Sequence, residues 1–516
     1  MTADRRILNH PHLKIERGEA IIFQFNGRPV AGYRGETIAA ALYADGLRIF
    51  SRSFKYHRPR SLFCLAGHCS HCLMRVNGIP NVRICTVVVQ PDMKVESQNA
   101  WPSLKFDVAA VSGYLDFLIR PGFQYRRFIR PRWLYHIWEK FLRRMAGIGA
   151  LSDVENHSAP RKLSAKPEVV VVGGGIAGLS ATLHAARAGA QVWLIEKENT
   201  LGGRIQYDTS KFQLPDSDSR QYGFDIAKNL TEEVTQLSNC RVVTAATAFA
   251  WYDDGILAVV REGELWELKP KSVVVATGSY ENPMVFENND LPGIFMAGGL
   301  QRLMHRDFIR PGNTAVVVTN NDGGYRMAHQ LMDAGVAVAA IIDNRLDEKI
   351  CSAREVQKAK DAAISIFPQH SIEAALGRRY IKGVRIKPLN TDTGGSPAQE
   401  IKIACDVLCI AGSRTPANEL VFQRTCQGQY TLESPHQFMR RPVTTSHMRV
   451  DTDMYVAGEA GGSKNLKQSW IEGKVAGLSA AMDLGYGGEK TKSIRNETQA
   501  LLDNLSNHRP PAELGV

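Results

Sequence analysis

Alternation of apolar and polar residues near the start of the chain predicts a β-hairpin followed by a helix. Residues 21–25 alternate weakly, Asn26-Gly27 is a strong hairpin turn, and residues 28–33 return as the second strand. A helix is predicted to begin at residues 35–37 and to run to Ala44. It ends at Asp45-Gly46, where glycine can adopt the left-handed conformation of a helix cap. The first hundred residues therefore begin as a small mixed α+β unit.

Two largely apolar runs farther along predict strands that are buried on both faces. They are residues 168–172, which read EVVVV, and residues 315–318. A helix-length segment follows each run, and such alternation is typical of parallel, Rossmann-type sheets. The predicted fold class is α/β for the body of the chain and α+β for its first hundred residues.

A glycine-rich turn, G-x-G-x-x-G, follows the first of these runs at residues 173–178. Gly173 makes the tight turn, Gly175 lets a pyrophosphate approach the backbone, and Gly178 lets the helix pack on the strand. The predicted helix of residues 179–188 directs its amino end at the phosphates. The next strand ends in Glu196, placed to accept hydrogen bonds from ribose hydroxyls. Together these features predict a site for an adenine dinucleotide.

Four cysteines lie close together, at Cys64, Cys69, Cys72 and Cys85, and no other cysteine occurs before Cys240. Their C-x4-C-x2-C run with a fourth thiol thirteen positions on matches a plant-type 2Fe-2S ferredoxin loop. Zinc is the alternative occupant, although zinc sites usually pair two short C-x2-C hooks. Disulfides are not expected, because the chain begins MTADRRILNH without an apolar signal-peptide run; we predict a cytoplasmic protein.

Hairpin, helix and cysteine loop occur in the order of a β-grasp ferredoxin, which is the fold predicted for residues 1–100. Gly67 and Gly78 allow the loop to take unusual backbone angles around a cluster. Between the helix and Cys64, residues 51–60 read SRSFKYHRPR. Two interpretations are open for the cations in this segment: a solvated basic loop, or a grip on a phosphate or on a partner's carboxylates. These cations are Arg52, Lys55, Arg58 and Arg60.

Three further segments resemble the flavin-binding segments of two-dinucleotide-binding flavoproteins. Residues 201–204 resemble their second glycine pair, residues 273–278 their strand beneath the flavin, and residues 454–459 the segment that closes over the ribityl chain. Glu459 stands where those proteins usually carry aspartate. FAD is the predicted cofactor, with NAD in the same groove as the alternative. The candidate cofactor-binding residues are Gly173, Gly175, Ile176, Ala177, Gly178, Glu196, Lys197, Gly203, Arg204, Ala276, Thr277, Gly278, Gly458 and Glu459, and no catalytic residue is identified.

A second nucleotide-binding-like unit spans residues 292–412. After its strand at residues 315–318, the turn from Thr319 to Gly324 matches the glycine pattern only at Gly324. Bulky Thr319 and Asn321 would hinder a pyrophosphate, so NAD(P)H is not expected as the electron donor. No C-x4-C pair follows Gly203, which excludes disulfide-reductase chemistry. Packing roles are assigned to Cys240, Cys351, Cys405, Cys409 and Cys426.

Charge is distributed unevenly along the 516 residues, whose net charge is +11. Residues 1–166 hold 26 Lys and Arg against 12 Asp and Glu, which indicates an acidic partner surface or bound phosphates. No nucleic-acid motif accompanies these cations, and no run of about eighteen apolar residues predicts a membrane span. Residues 133–145 carry an apolar helical face, for which packing on this chain or on a partner is favoured over a membrane surface.

The chain is predicted to divide into six parts. They are a 2Fe-2S ferredoxin-like domain at 1–100, an aromatic and basic linker at 101–166, a first FAD-binding part at 167–291, the second nucleotide-binding-like domain at 292–412, a second FAD-binding part at 413–487 and a polar surface tail at 488–516.

With these motifs in view, the chain resembles the α subunit of heterotetrameric sarcosine oxidase and its relatives among opine, proline and hydroxyproline dehydrogenases and hydrogen cyanide synthase. The likeness covers about residues 20–480. It is carried by the segments at 52–60, 76–83, 99–108, 281–294 and 319–326. Sarcosine oxidase α also carries a C-terminal folate-binding domain, for which this chain has no counterpart, so capture of formaldehyde by tetrahydrofolate is not expected.

The resemblance implies a heteromeric complex. In this family a separate D-amino-acid-oxidase-like flavoprotein β subunit oxidises the amine, an additional FMN is sometimes held at the subunit junction, and some members add a small subunit. This chain would then be the electron-transfer subunit, passing electrons through flavin and 2Fe-2S to a quinone or carrier, with a sarcosine, opine, proline or hydroxyproline class of substrate. A self-contained NAD(P)H-dependent reductase is the alternative, and a scaffold with a structural dinucleotide is a third hypothesis.

Overall fold

The computed structural model describes residues 5–113, 130–146, 152, 161–345, 353–389, 400–424, 430–434 and 437–507. The chain divides into two compact units, the first comprising Met1–Asn156 and Pro283–Ser413, and the second comprising His157–Asn282 and Arg414–Val516. Each unit is therefore assembled from two separate stretches of the chain. Cys351 and Cys426, which the sequence assigns to packing, lie outside the described residues.

The first unit opens with the predicted β-grasp arrangement. Its five strands, in spatial order, are Arg28–Tyr33, Ala20–Phe25, Lys94–Glu96, Leu73–Val76 and Ile79–Arg83. Ala20–Phe25 runs parallel to Lys94–Glu96, and the other neighbours are antiparallel. The helix Ile38–Ala44 is buried along its whole length, and the Thr37 hydroxyl caps it by accepting from the Ala40 amide.

The second part of the same unit is a parallel α/β sheet. Its strands, in spatial order, are Ile294–Met296, Val407–Ala411, Thr314–Thr319, Ala337–Asp343 and Ser365–Pro368. All four neighbouring pairs are parallel, as the uniformly apolar run at residues 315–318 predicts. An antiparallel sheet of His370–Leu376, Gly383–Pro388 and Ile401–Ala404 lies in the same unit.

One hydrophobic core joins these two parts of the first unit. It contains Phe23, Leu42 and Met74 from the β-grasp part together with residues such as Phe295 and Val317 from the parallel sheet. The Tyr43 ring lies 6.1 Å from the Phe295 ring, and its hydroxyl donates to the Pro311 carbonyl at 2.6 Å. The β-grasp part is thus not an independent module, a feature that the sequence does not predict.

The second unit is built on a six-stranded sheet. Its strands, in spatial order, are Cys240–Val243, Val192–Ile195, Val169–Val172, Ser272–Val275, Met454–Val456 and Arg449–Asp451. The first five run parallel, and only the edge strand is antiparallel. A four-stranded sheet accompanies it, with Ala246–Trp251, Leu257–Arg261, Glu264–Leu268 and Lys162–Ala165. The carboxyl ends of the parallel strands meet at one edge, which is where dinucleotides bind in such sheets.

The remaining elements complete the described chain. The helices beyond Ile38–Ala44 are Arg132–Ala146, Ile176–Arg187, Gly223–Thr235, Ala297–Gln301, Asp322–Asp333, Ala353–Asp361, Glu419–Arg424, Leu466–Asp483 and Glu489–Asn507, with shorter helical turns at Val108–Gly113, Gly203–Tyr207, Arg302–Arg306 and Gly458–Gly461. Two-stranded pairs are Ser51–Arg52 with Pro59–Arg60, Lys211–Phe212 with Gln221–Tyr222, Ser279–Glu281 with Arg414–Pro416, and Tyr430–Ser434 with Gln437–Pro442.

Three differences from the sequence-based prediction stand out. The helix after the glycine motif begins at Ile176 rather than Leu179, because the motif's last three residues already form its first turn. The polar tail contains the helix Glu489–Asn507, which buries Leu502. Trp133 and Ile137 of the linker helix are 65% and 60% exposed, so the expected packing on this chain does not cover them. None of the described helices combines the length and apolarity needed to cross a bilayer.

Candidate cluster loop and dinucleotide site

The four candidate ligand cysteines converge in the β-grasp part of the first unit. Cys64, Cys69 and Cys72 lie in the loop that leads from Pro59–Arg60 to the strand Leu73–Val76, and Cys85 follows the strand Ile79–Arg83. Cys64, Cys72 and Cys85 are buried, and Cys69 is partly buried. All four are free thiols.

The four thiols are arranged as two pairs. Cys64 Sγ lies 3.3 Å from Cys69 Sγ, and the Cys72 thiol is hydrogen-bonded to Cys85. A 2Fe-2S cluster held by four cysteines has two irons, each of which takes two thiolates, so two pairs suit it. Zinc, by contrast, needs its four ligands around one point. The residues present therefore fit a two-iron cluster better than one zinc ion.

Each pair holds one thiol whose pKa lies below the ordinary value. The Cys69 thiol donates to Cys64 and lowers its pKa, against the opposing effect of burial, and the backbone amides of Ala66, His68 and Cys69 act in the same direction. The Cys72 thiol lowers the pKa of Cys85 in the same way, with further help from the Gly67 amide. Amides aimed at sulfur favour thiolates, which are the form that binds iron.

The loop owes its shape to two residues with left-handed backbone angles. Leu65 has a φ of 46° and Gly67 a φ of 73°. A Cβ on Gly67 would lie 2.9 Å from Thr86 Cγ2, so glycine is required there both for its backbone angle and for space. This matches the role that the sequence assigns to Gly67.

Residues of the parallel sheet hold the cysteine loop in place. The Met296 amide donates to the Phe63 carbonyl at 3.0 Å. A Cβ on Gly299 would lie 2.5 Å from that same carbonyl oxygen and 3.1 Å from the Cys64 carbonyl oxygen, so only glycine permits this approach. The sequence signals neither contact, because each joins segments more than 200 positions apart.

Three arginines of the basic segment at residues 51–60 have partners within this unit. Arg58 and Arg60 each bind Asp290, at 2.9 Å and 3.1 Å. Arg52 is buried and donates to the Leu104 carbonyl at 2.6 Å. Arg52 and Arg60 are thus engaged within this unit, whereas the side chain of Arg58 remains 43% exposed. Lys55 lies over the Tyr56 ring at 4.5 Å.

In the second unit, the glycine motif adopts the geometry that its spacing predicts. Gly173 has a φ of 105°, and a Cβ on it would meet the Ala276 carbonyl oxygen at 2.4 Å. A Cβ on Gly178 would meet the Gly173 carbonyl oxygen at 1.7 Å. Gly175, by contrast, faces open space at the start of the helix Ile176–Arg187, which also carries the candidate residue Ala177. This open position is suited to a pyrophosphate.

Glu196 lies at the carboxyl end of its strand, as predicted, and reaches the glycine turn. Its carboxylate accepts from the Gly174 amide at 2.6 Å and from the Glu198 amide at 2.8 Å. Burial raises its pKa, although these two amides oppose the effect. The next candidate, Lys197, is exposed. Glu196 is thus placed beside the turn, where a ribose would lie.

Glu459 is the centre of a charged cluster. Its carboxylate forms an ion pair with Arg204 and accepts from the Ser279 hydroxyl at 2.6 Å. Burial alone would raise the pKa of Glu459, but Arg204 and Arg414 outweigh burial and hold it below its usual value. Glu281 in turn binds Arg414 at 2.9 Å. This network was not predicted, because its members come from four separate segments.

The other candidate residues also collect at this edge of the sheet. The Ala276 amide donates to the Val172 carbonyl at 2.8 Å, and the Thr277 hydroxyl donates to the Ala417 carbonyl. A Cβ on Gly203 would lie 2.9 Å from Gly175 Cα. Gly278 and Gly458 have φ values of 78° and 72°, which favour glycine. The assembled residues fit an adenine dinucleotide.

The corresponding turn of the parallel sheet in the first unit is closed by its own side chains. Asn321 caps the helix Asp322–Asp333 by accepting from the Gly323 amide at 2.8 Å, and its amide group donates to the Gly412 carbonyl at 3.1 Å. Arg345 binds both Asp322 and Asp343, at 2.9 Å and 2.6 Å. A carboxylate in the first helical turn repels phosphate, and Asp343 stands where a ribose-binding acid is expected. The sequence reveals the altered turn but not the role of Arg345.

Comparison with known proteins now defines the class of protein as an oxidoreductase that combines a 2Fe-2S domain with a flavoprotein body. Residues 18–100 match the family model described as the 2Fe-2S iron-sulfur cluster binding domain, and residues 167–473 match that of the pyridine nucleotide-disulphide oxidoreductases. The second match covers more than half of the chain, which therefore belongs to the pyridine nucleotide-disulphide oxidoreductase family. The predicted fold class is confirmed.

The relatives agree with the resemblance seen in the sequence. The sarcosine oxidase alpha chain of Rhizobium meliloti (strain 1021) is 35% identical over 350 residues, which cover 64% of this chain and 35% of that protein. An opine oxidase subunit of Agrobacterium tumefaciens (strain Ach5) is 25% identical over 354 residues, or 63% of this chain and 67% of that protein. The matched part thus spans well under half of the sarcosine oxidase relative and about two thirds of the opine oxidase relative.

One solved structure shares the fold over nearly the whole chain. L-proline dehydrogenase from P. horikoshii has a TM-score of 0.64 and 21% identity, and the likeness covers 95% of this chain and 79% of that one. At this level of identity the likeness concerns the fold.

Proposed function

We propose that this chain is the electron-transfer subunit of a flavin-dependent amine or amino-acid dehydrogenase or oxidase complex. The observation that carries the proposal is the arrangement of the four cysteine thiols as two pairs in a buried loop, on a chain that also presents a dinucleotide site. A 2Fe-2S cluster supplies one-electron transfer, and a flavin connects it to two-electron chemistry. A cytoplasmic location belongs to this proposal, because free thiols suit a reducing compartment.

The residues of the chain have separate roles in this proposal. Cys64 and Cys69 would hold one iron, and Cys72 and Cys85 the other. The Ala66, His68 and Gly67 amides stabilise the thiolate forms, and burial of the loop excludes water. In the second unit, Gly175 would admit the pyrophosphate of FAD, and Glu196 would orient a ribose.

Amine oxidation is assigned to a partner. Relatives of this chain are named as subunits of sarcosine oxidase and opine oxidase, and the motifs of this sequence identify cofactor sites rather than a catalytic residue for an amine. We therefore propose a D-amino-acid-oxidase-like flavoprotein partner, with an additional FMN at the junction and one small subunit. Sarcosine, opines, proline and hydroxyproline are the substrate candidates, and a quinone or carrier is the final acceptor.

The self-contained NAD(P)H reductase is disfavoured by the turn at residues 319–324. Asn321 already caps the helix that would receive the pyrophosphate, and Asp322 brings a negative charge to its first turn. Rapid mixing of the purified chain with NADH tests this alternative. Fast bleaching of flavin absorbance would support the reductase and count against the complex.

The experiment that tests the proposal compares the chain with and without its cysteine ligands. The chain is co-expressed with D-amino-acid-oxidase-like flavoproteins of the source organism, purified anaerobically and assayed with secondary amines and a dye acceptor. Cys64→Ser is expected to remove iron and inorganic sulfide and to abolish dye reduction through this chain, while amine-dependent bleaching of the partner's flavin continues. Cys405→Ser, at a buried cysteine remote from the loop in sequence, is the matched control. Full amine turnover by the isolated chain, or iron-free wild-type protein, would refute the proposal.

A further inference from the structure

Two segments of the first unit, residues 52–58 and 101–113, are joined by polar contacts, most of which are buried. His57 Nδ1 donates to Asp107 Oδ2 at 2.6 Å, and the two side chains are only 3% and 1% exposed. Arg52 donates to the carbonyls of Leu104 and His57, at 2.6 Å and 2.9 Å. The Ser112 hydroxyl donates to the Lys55 carbonyl at 3.3 Å. The two segments therefore form one ordered surface element.

This element presents large apolar side chains to solvent. They are Phe54, Trp101, Phe106, Val108 and Val111, with exposures of 55%, 72%, 66%, 48% and 57%, and we call this set the apolar platform. At about 150–250 Å² per aromatic side chain, its three rings alone expose roughly 300–500 Å². Exposed apolar area of that size on one ordered surface element often marks a binding site.

The buried contacts serve the exposed rings. Besides His57, Asp107 accepts from the backbone amides of Trp101 and Ala109, both at 3.2 Å. Burying polar side chains is unfavourable unless their hydrogen bonds are well satisfied, so a buried polar pair is weak evidence for stability by itself. Here the pair fixes the backbone on both sides of Phe106. Aromatic side chains on a pre-ordered backbone lose little conformational entropy on binding, which is typical of interface hot spots.

Charge indicates the nature of the partner. Residues 51–60 contain no acid, and residues 101–113 contain only Asp107, which is buried. Lys105 is exposed beside the platform, and Lys55 is partly exposed. A second copy of this chain would bring these cations against like charges, which is unfavourable. A membrane-surface element is usually a basic amphipathic helix, whereas the platform lies on a turn and an irregular segment.

We propose that the apolar platform is the docking surface for a partner protein that presents an apolar depression with an acidic rim. The inference rests on the proposed function in one respect: it assigns this surface to the flavoprotein subunit of that complex. The rings of Trp101 and Phe106 fill the depression, and Lys55 and Lys105 face the acidic rim. The His57–Asp107 pair is a positioning pair that holds the platform in its binding conformation.

The test measures binding of the full-length chain to the co-expressed flavoprotein. Trp101→Ala with Phe106→Ala is expected to weaken the complex by about 30-fold or more, as loss of hot-spot residues does. Val285→Ser removes a side chain that is 97% exposed in the same unit and is the matched control, expected to bind as the wild type does. Iron content and melting temperature are measured alongside, because a platform variant should leave both unchanged.

Two further variants keep the test informative if the double variant folds poorly. Lys105→Glu changes an exposed side chain and is expected to slow association and to reduce the dependence of binding on salt. Asp107→Asn is expected to increase hydrogen exchange of residues 101–113 and to weaken binding while Trp101 and Phe106 remain in place.

The outcomes separate this inference from the proposed function. If no flavoprotein binds the wild-type chain, both fail. If one binds and the platform variants bind equally well, only the assignment of the surface fails. Two results would contradict a different protein as the partner. One is self-association in sedimentation that the platform substitutions abolish, and the other is binding to vesicles of phosphatidylcholine and phosphatidylglycerol that the same substitutions abolish.

Discussion

Gly299 provides the sharpest test of how the cysteine loop is held. In Gly299→Ala the new Cβ would lie 2.5 Å from the Phe63 carbonyl oxygen, about 0.9 Å inside the 3.4 Å at which ordinary contact begins. Both this oxygen and the Cys64 carbonyl oxygen at 3.1 Å belong to the backbone, so no side-chain rotation relieves the clash. The loop has to move away from the helix Ala297–Gln301.

The expected change in the free energy of unfolding of Gly299→Ala is the sum of opposing effects. Overpacking typically costs about 1–3 kcal/mol, and displacement of Phe63 weakens the hydrogen bond from the Met296 amide, which contributes about 0.5–1.5 kcal/mol. Alanine gains about 1 kcal/mol over glycine in a helix interior. The expected net loss is roughly 1–3 kcal/mol in the free energy of unfolding of the first unit.

Two measurements check this expectation. Thermal or denaturant unfolding of the iron-loaded protein should show the loss, and visible absorption and EPR spectra should change, because the displaced backbone carries Cys64. Gly488→Ala is the control, since a Cβ there meets nothing within 4 Å. Wild-type stability together with unchanged spectra in Gly299→Ala would refute the reasoning.

Three other changes probe separate contacts. Asp290→Asn removes the charge that binds Arg60 and should lower the free energy of unfolding by about 1–2 kcal/mol in denaturant titrations. Arg204→Gln should lower the free energy of unfolding by about 1 kcal/mol at pH 7, a small value because Arg204 is partly exposed to solvent. The lowered pKa of Glu459 gives its full stabilisation above the usual value of 4.5 and loses it as pH falls through the lowered value, so that loss should shrink in melting curves below pH 4.5. Asn321→Ala should cost about 1 kcal/mol through the lost helix cap, without creating NADH binding in fluorescence titrations.

One control serves these three variants. Lys271→Gln breaks an ion pair with Glu168 at 3.0 Å in which the lysine is 61% exposed, and it should change stability little. If Lys271→Gln lost as much stability as Asp290→Asn, removal of a charge alone, rather than the partly buried contacts of Asp290, would explain the effect. A constant difference between wild type and Arg204→Gln from pH 7 to pH 3 would contradict the role given to Glu459.

Local sequence signals predict the parts of this fold that depend on residues close together in the chain. The hairpin at Asn26-Gly27, the cysteine loop and the strand–turn–helix of Gly173 to Gly178 are of this kind, because turn geometry and metal or phosphate binding fix both residue type and spacing. The structure places these elements where the sequence indicates them.

Features that join distant segments could not be predicted. Asp290, Gly299 and Arg345 carry no motif, and their roles depend on partners brought near by tertiary packing. The basic segment at residues 51–60 is an example: its composition leaves a solvated loop and a ligand-binding loop both open, whereas the folded chain supplies Asp290 and backbone carbonyls as partners of its arginines. The sequence shows where the basic residues lie along the chain, but not which groups of the folded protein pair with them.

The shared hydrophobic core of the first unit has a consequence for how the protein matures. Because Tyr43 and Phe295 pack in one core, the iron-binding region and a stretch of chain more than two hundred positions later should melt as one cooperative block. Metal uptake at the cysteines would then raise the melting temperature of that distant stretch by mass action. A chain that fails to acquire iron would expose both stretches of this unit to proteases together, so assembly of the cofactor would also test whether the polypeptide has folded.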